Sequence, residues 1–260
     1  MARDEDWITD LHFDELVNSV TLLERVLRQD REAVLERCRR EIESIPDEVV
    51  ETENGIEIRM DDRKQEIAIE IEQLAQEIPR ILMNNMVVAA WALFERNMIG
   101  LAGSRIRRKS GLSDEGFKAS GKIREVKHVA EYFEQEGITL PTGWGFVDII
   151  REIRNQIVHD GAIRHELDDV TDPVELTRHK RTVKIDKFVE EREAQGKAGI
   201  RYYCDGILSV GAAFCREILD FLRDYTKATK RLAHIPFDDE ALRRRMRESE
   251  RRHGKCGPPT

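Results

Sequence analysis

Aromatic residues make up only 6% of these 260 residues, and there are just 16 glycines and 7 prolines. Sandwiches and barrels need aromatic strands and turns rich in Gly and Pro, so the shortage argues against them. Charged residues, at 36%, point instead to long amphipathic helices, and the expected fold class is all-α. Cysteine is also sparse. Cys38, Cys204, Cys215 and Cys256 form no Cys-x-x-Cys pair and have no metal-ligand spacing, so no metal ion or other cofactor is implied. Cys204 and Cys215, eleven residues apart, are expected on one helix face as packing thiols. No apolar run reaches the roughly 18–20 residues of a membrane span, so no membrane partner is expected. The start Met1-Ala2-Arg3-Asp4-Glu5-Asp6 is too acidic for a secretory signal, which makes a cytoplasmic location the expectation. A net charge of −8 excludes a generic polyanion binder, so any contact with a nucleic acid must be local.

A chain of this length can bury a substantial core, and one elaborated domain is expected. The first helix spans about 11–45, where Phe13, Leu16, Val17, Val20, Leu23, Val26 and Leu27 form a stripe that Pro46 ends. A second helical pattern covers about 57–102, broken or kinked at Pro79 and closed by Gly100, Gly103 and the basic run Arg105-Ile106-Arg107-Arg108-Lys109. Its segment 81–101 is apolar on nearly every face and reads as the central helix. Residues 110–121 read as a connection, followed by a helix over about 122–137. Residues 162–199 are irregular in pattern, with a short strand expected at 182–185. Tyr202, Ile207, Val210, Phe214, Ile218, Leu222 and Tyr225 then recur at helical spacing, giving a closing helix to about Arg231. The resulting division is an N-terminal helical region at 1–56, a helical domain at 57–233 with a partly irregular insertion at 160–199, and a basic, partly disordered tail at 234–260.

Chemistry is suggested in one place, Ile153-Arg154-Asn155-Gln156-Ile157-Val158-His159-Asp160-Gly161. On a helix, Phe146, Ile149, Ile150, Ile153 and Ile157 form the core stripe. Asn155 points away from it, flanked by Arg151, Arg154 and His159. Val158 shares that outer side, and an apolar residue among cation, amide and imidazole suits a surface that meets a partner subunit. Asp160-Gly161 should end the helix and leave His159 at a solvent-accessible edge.

Arg154-Asn155 with His159 resembles the Arg-Asn-x-x-x-His signature of the HEPN superfamily. Ala90-Trp91-Ala92-Leu93-Phe94-Glu95-Arg96-Asn97-Met98-Ile99 is similar to the upstream helix of many such proteins, where a Glu follows an aromatic. The resemblance covers roughly 67–231. It implies an all-α bundle with an added N-terminal helix and C-terminal extension, working as a homodimer in which both Arg/His pairs face one cleft. It also implies a metal-independent endoribonuclease of toxin–antitoxin, abortive-infection or antiviral defence systems, with RNA as substrate and an antitoxin or defence protein as partner. Some members bind RNA or a protein without cleaving. Gly161 stands where a subset of the family carries a Tyr, so modification of that Tyr is not expected.

The residue types fit this chemistry. An imidazole ordinarily titrates near neutrality and can take the 2′-hydroxyl proton, then return one to the leaving oxygen. A guanidinium presents a planar fork of donors to a phosphate. The expected catalytic group is therefore Arg154, Asn155 and His159. Arg151, Glu95, Arg105, Arg107 and Arg108 are expected to bind or position substrate, and the basic runs 178–181 and 243–252 to extend a phosphate path. Each residue also has a plainer reading. A His near a helix C-terminus interacts favourably with the helix dipole, and an Arg on a helix often only pairs with a neighbour.

Overall fold

The structure is a computed structural model and describes residues 4–52, 55–59, 61–110, 123–164, 172–197, 199–203 and 206–233. It is mostly helical. Helix α1 (Asp4–Ser44) is followed by the antiparallel strands β1 (Glu48–Thr52) and β2 (Gly55–Arg59), paired with Glu48 opposite Arg59 and Thr52 opposite Gly55. Then come α2 (Asp62–Glu72), a π-helical turn (Gln73–Glu77), α3 (Ile78–Ser110), α4 (Val126–Gln135), α5 (Trp144–His159) and α6 (Pro173–Ala194). A second antiparallel pair, β3 (Ile200–Tyr202) and β4 (Leu208–Val210), precedes the closing helix α7 (Ala212–Ala233).

Helix α3 is central. It packs against α1, α4, α5, α7 and β4, and buries Met83, Val87, Ala90, Trp91, Phe94, Met98 and Ala102 in one continuous core. From α1, Phe13 and Val20 enter that core, and Leu16, Val17, Leu23 and Leu27 pack on its margin. Val26, expected in the stripe, is exposed. Cys38 and Cys215 are buried free thiols. Cys204 lies outside the described residues, and the helix carrying Cys215 begins only at Ala212.

Pro79 leaves its mark as a π turn rather than a break. Proline has no N–H to offer the carbonyl four residues back, and its ring crowds that carbonyl. The backbone widens before it, with the Ile78 N–H bonding Gln73 O five residues away. The carbonyl left over, Ala75 O, accepts from Arg31 Nη1 of α1 at 3.3 Å.

Four expectations need correction. The segment entering the second helix holds strands β1 and β2, announced by Asn54-Gly55 between β-branched residues. Gly100 and Gly103 do not end α3, which carries the basic run as helix to Ser110. The strand expected at 182–185 is part of α6: Asp172 caps this helix by accepting from the Val174 N–H at 2.9 Å, with Pro173 at its first position. Tyr202, Ile207 and Val210 belong to the β3–β4 region, where Gly199 (φ 116°) and Gly206 (φ 74°) adopt left-handed conformations that exclude a continuous helix. Of the expected connection 110–121, Ser110 ends α3 and the rest lies outside the described residues, as does the tail 234–260. Among the described residues no helix is long and apolar enough to cross a membrane.

Candidate functional site

Helix α5 carries the site, and its placement starts at Gly143. This N-cap residue has φ 105°, and a Cβ there would meet the Phe221 ring at 3.0 Å, so only glycine fits the approach to α7. Phe146 then stacks edge-on against Phe221 with centroids 4.8 Å apart and also contacts Phe188 of α6 and Phe214 of α7. Further along, Val147, Ile150 and Ile153 are buried, while Phe146, Ile149 and Ile157 lie on the core margin.

The last turn holds a residue that the sequence pattern missed. Gln156 is fully buried. Its Nε2 donates to Ile163 O at 2.8 Å, its Oε1 accepts from the Tyr202 hydroxyl at 2.8 Å, and its backbone carbonyl accepts from Asp160 N and Ala162 N. Gly161 and Ala162 are both left-handed, with φ 60° and 66°, so the chain reverses sharply below His159. A strained non-glycine at a helix end leaves no mark in composition, whereas an amide three residues after Ile153, at the edge of the core stripe, is a signal that could have pointed to Gln156.

On the outer face, Arg154 Nη1 donates to Asn155 Oδ1 at 2.9 Å and lies 3.3 Å from His159 Nε2. A guanidinium only donates, so this contact is a hydrogen bond when Nε2 carries no proton and accepts. The three expected catalytic side chains thus form one connected group. His159 is exposed, and beside it Val158 remains 44% exposed. Between His159, Val174 and Arg178 lies an open cleft of about 410 Å³.

Glu95 of α3 lies within range of the Arg154 charge. Burial pushes its carboxyl above the usual range and Glu125 adds to that, while the Arg154 charge and the Val126 N–H act the other way. That N–H belongs to the first residue of α4, whose N-cap Glu125 makes no side-chain cap. Glu95 therefore serves as acceptor and negative charge for the start of α4 and as counter-charge for Arg154.

The remaining expected substrate-binding residues are placed otherwise. Arg151 Nη2 pairs with Asp148 at 2.6 Å and Glu152 at 2.8 Å, so its charge is already met within α5. Arg105 is buried and donates to Ala233 O at 3.2 Å, and Arg108 donates to the same carbonyl at 2.8 Å. Both close the C-terminal end of α7, and Arg105 has no surface to offer a phosphate. Arg107 is half-buried on the same turn. The run starts ten residues beyond Glu95, about 15 Å of helix axis away. Of the run at 178–181, Arg178 pairs with buried Asp160 at 3.1 Å, and Arg181 pairs with Asp160 and, at 3.2 Å, with Glu152. Lys184 pairs with Asp148. Among the described residues no three His, Cys, Asp or Glu side chains gather into a metal-binding group.

Comparison of the chain with protein-family models, curated proteins and solved structures gives no match.

Proposed function

We propose that the chain is a metal-independent endoribonuclease of the HEPN type, active as a homodimer with both Arg154–Asn155–His159 groups facing one groove, in toxin–antitoxin, abortive-infection or antiviral defence. The observation that carries the reading is the hydrogen-bonded Arg154–Asn155–His159 group at the exposed end of α5. The apolar residues Val158, Ile163 and Val174, 44%, 49% and 56% exposed around that end, suit burial against a second copy.

In the proposed reaction His159 Nε2 takes the proton of a ribose 2′-hydroxyl, releasing its contact with Arg154 as it does so. The 2′-oxygen attacks the adjacent phosphorus, the bond to the 5′-oxygen breaks, and an imidazolium returns a proton to that leaving oxygen. The Arg154 guanidinium then stabilises the charge gathering on the phosphoryl oxygens. Asn155, whose Oδ1 holds Arg154, offers its amide N–H groups to phosphate or ribose. Glu95 provides a nearby negative charge for Arg154.

One observation favours the second reading, a HEPN module that binds RNA or a partner protein without turnover. The surroundings of α5 are rich in carboxylates (Glu95, Glu125, Asp148 and Glu152), and the neighbouring cations are paired with them. A basic protein partner such as an antitoxin would suit that face.

The deciding experiment is cleavage of total and transfer RNA in EDTA by the wild type beside His159→Ala. Cleavage that disappears in a folded, dimeric His159→Ala protein is the expected result, with a loss of at least about 100-fold for a general base. Equal activity in both removes His159 from the mechanism, and equal inactivity supports the binding module.

A further inference from the structure

Away from α5, a cleft of about 590 Å³ opens between α1, the π turn with the start of α3, and the β3–β4 hairpin. Small-molecule sites occupy about 300–1,000 Å³. Four arginines line it from three elements: Arg28 and Arg31 from α1, Arg80 from α3 and Arg201 from β3. Among the described residues that line it, Glu24 is the one carboxylate. Its charge is already shared between Arg216 at 2.6 Å and Arg28 at 3.4 Å. The cleft is therefore a concentration of positive charge in a chain of net charge −8.

Like charges held together repel, so a fold that gathers them needs local compensation or a ligand. Among the described residues, the compensation of Arg31 and Arg201 is partial. Arg31 uses Nη1 on the carbonyl that Pro79 leaves unmet, while its Nε is buried with no hydrogen-bond partner among the described residues. Arg201 donates to the Tyr203 hydroxyl at 3.3 Å and lies 4.7 Å above that ring. Burial pushes the Tyr203 phenol up, but hydrogen bonds with Arg201 and Ser209 and the charges of Arg201 and Arg80 more than offset it and bring it below its ordinary value.

Two further features converge on the same space. Gly211 and Ala212 line the cleft at the positive end of the 22-residue helix α7, whose N-cap glycine brings no side chain to fill it. Leu27, Ala75 and Pro79, each half-buried, add an apolar wall. Arginine forks beside an apolar wall match a ligand with phosphate at one end and a flat, weakly polar body at the other.

We propose that this cleft is a nucleotide site, with Arg31, Arg80 and Arg201 on the phosphate oxygens and Leu27, Ala75 and Pro79 against the base or sugar. The phosphate comes from a free nucleotide or from the 5′-phosphorylated end of an RNA. The site stands whether or not α5 cleaves RNA.

Calorimetric titration of the full chain with adenosine, AMP, ATP and inorganic phosphate, and with an oligoribonucleotide bearing a 5′-phosphate or a 5′-hydroxyl, tests this. A phosphorylated probe should bind saturably, ahead of adenosine and of inorganic phosphate. Arg80→Ala and Arg201→Ala should each weaken it roughly tenfold, the loss of a charge-assisted bond. Arg201 is exposed, so its variant keeps the fold, checked by circular dichroism. Preference for AMP or ATP assigns the free nucleotide, and preference for the 5′-phosphorylated RNA over its 5′-hydroxyl twin assigns the RNA end. Binding of none of the probes, binding untouched by Arg201→Ala, or binding lost in Arg154→Ala instead would each overturn the assignment.

Discussion

Two arginine-rich regions of this molecule differ in their carboxylates. On the α5–α6 face Arg151, Arg178, Arg181 and Lys184 meet Asp148, Glu152 and Asp160, and each of these cations has an anion within bonding reach. In the cleft beside α1 four arginines face Glu24 alone among the described lining residues. The first region binds two helices together, and the second gathers arginines from three elements around one lining carboxylate. A count of cations along the chain does not separate the two, because what matters is which carboxylate the fold brings opposite each of them.

The sharpest break of that comparison is Asp160→Ala. Its side chain is 1% exposed and receives both Arg178 and Arg181, so removing it leaves these two guanidinium groups only the more exposed carboxylates of Glu175 and Glu152. A loss of about 3 kcal/mol or more is expected in urea unfolding, as for other broken buried ion pairs. A loss below about 1 kcal/mol would mean that Glu152 and Glu175 re-pair both arginines and that the network is surface-like.

Gln156→Leu comes next, because Gln156 joins the two regions. Its Oε1 accepts from Tyr202 of β3, whose chain neighbours Arg201 and Tyr203 line the cleft. Leucine keeps the volume but orphans the Ile163 carbonyl and the Tyr202 hydroxyl, at a cost of about 1–3 kcal/mol. Hydrogen exchange should quicken at both the end of α5 and β3. If only one of them responds, the amide does not couple the two regions.

Much of the helical frame was legible in the sequence, and the reasons are local. The end of α1 before Pro46 and the span of α5 up to Asp160-Gly161 rest on stop signals that act within a turn. Helix α6 was hidden because its buried residues, Thr182, Ile185, Val189 and Arg192, include two polar groups, so the helical repeat is blurred. Arg192 is buried by what it meets: Glu217 at 2.8 Å through both terminal nitrogens, and the Phe214 ring at 4.4 Å. None of that is visible in α6 alone. The group Arg154–Asn155–His159 was legible because its spacing sits within one helix. The cleft arginines were not, since residues 28, 31, 80 and 201 meet only through tertiary structure.

The smallest expected effect, at Glu95→Gln, asks whether a carboxylate near α5 serves charge or geometry. Burial holds the Glu95 carboxyl above its ordinary range despite the attraction of Arg154. A carboxyl raised in the folded state binds its proton more readily there than in the unfolded chain, so stability falls as pH rises from the ordinary carboxylate range through the raised value. Above that window the cost of the buried charge is fully present. Glutamine removes the charge, while its Oε1 still accepts from the Val126 N–H. The variant should therefore match the wild type at pH about 4 and equal or slightly exceed it at pH about 7.5, the margin kept small by solvent around a half-exposed group. Comparing unfolding free energies at the two pH values cancels the titration of every other group. A variant weaker than wild type at the higher pH would show that the attraction between Glu95 and Arg154 outweighs the burial of the charge, and that Glu95 holds Arg154 in place by charge rather than α4 by its hydrogen bond.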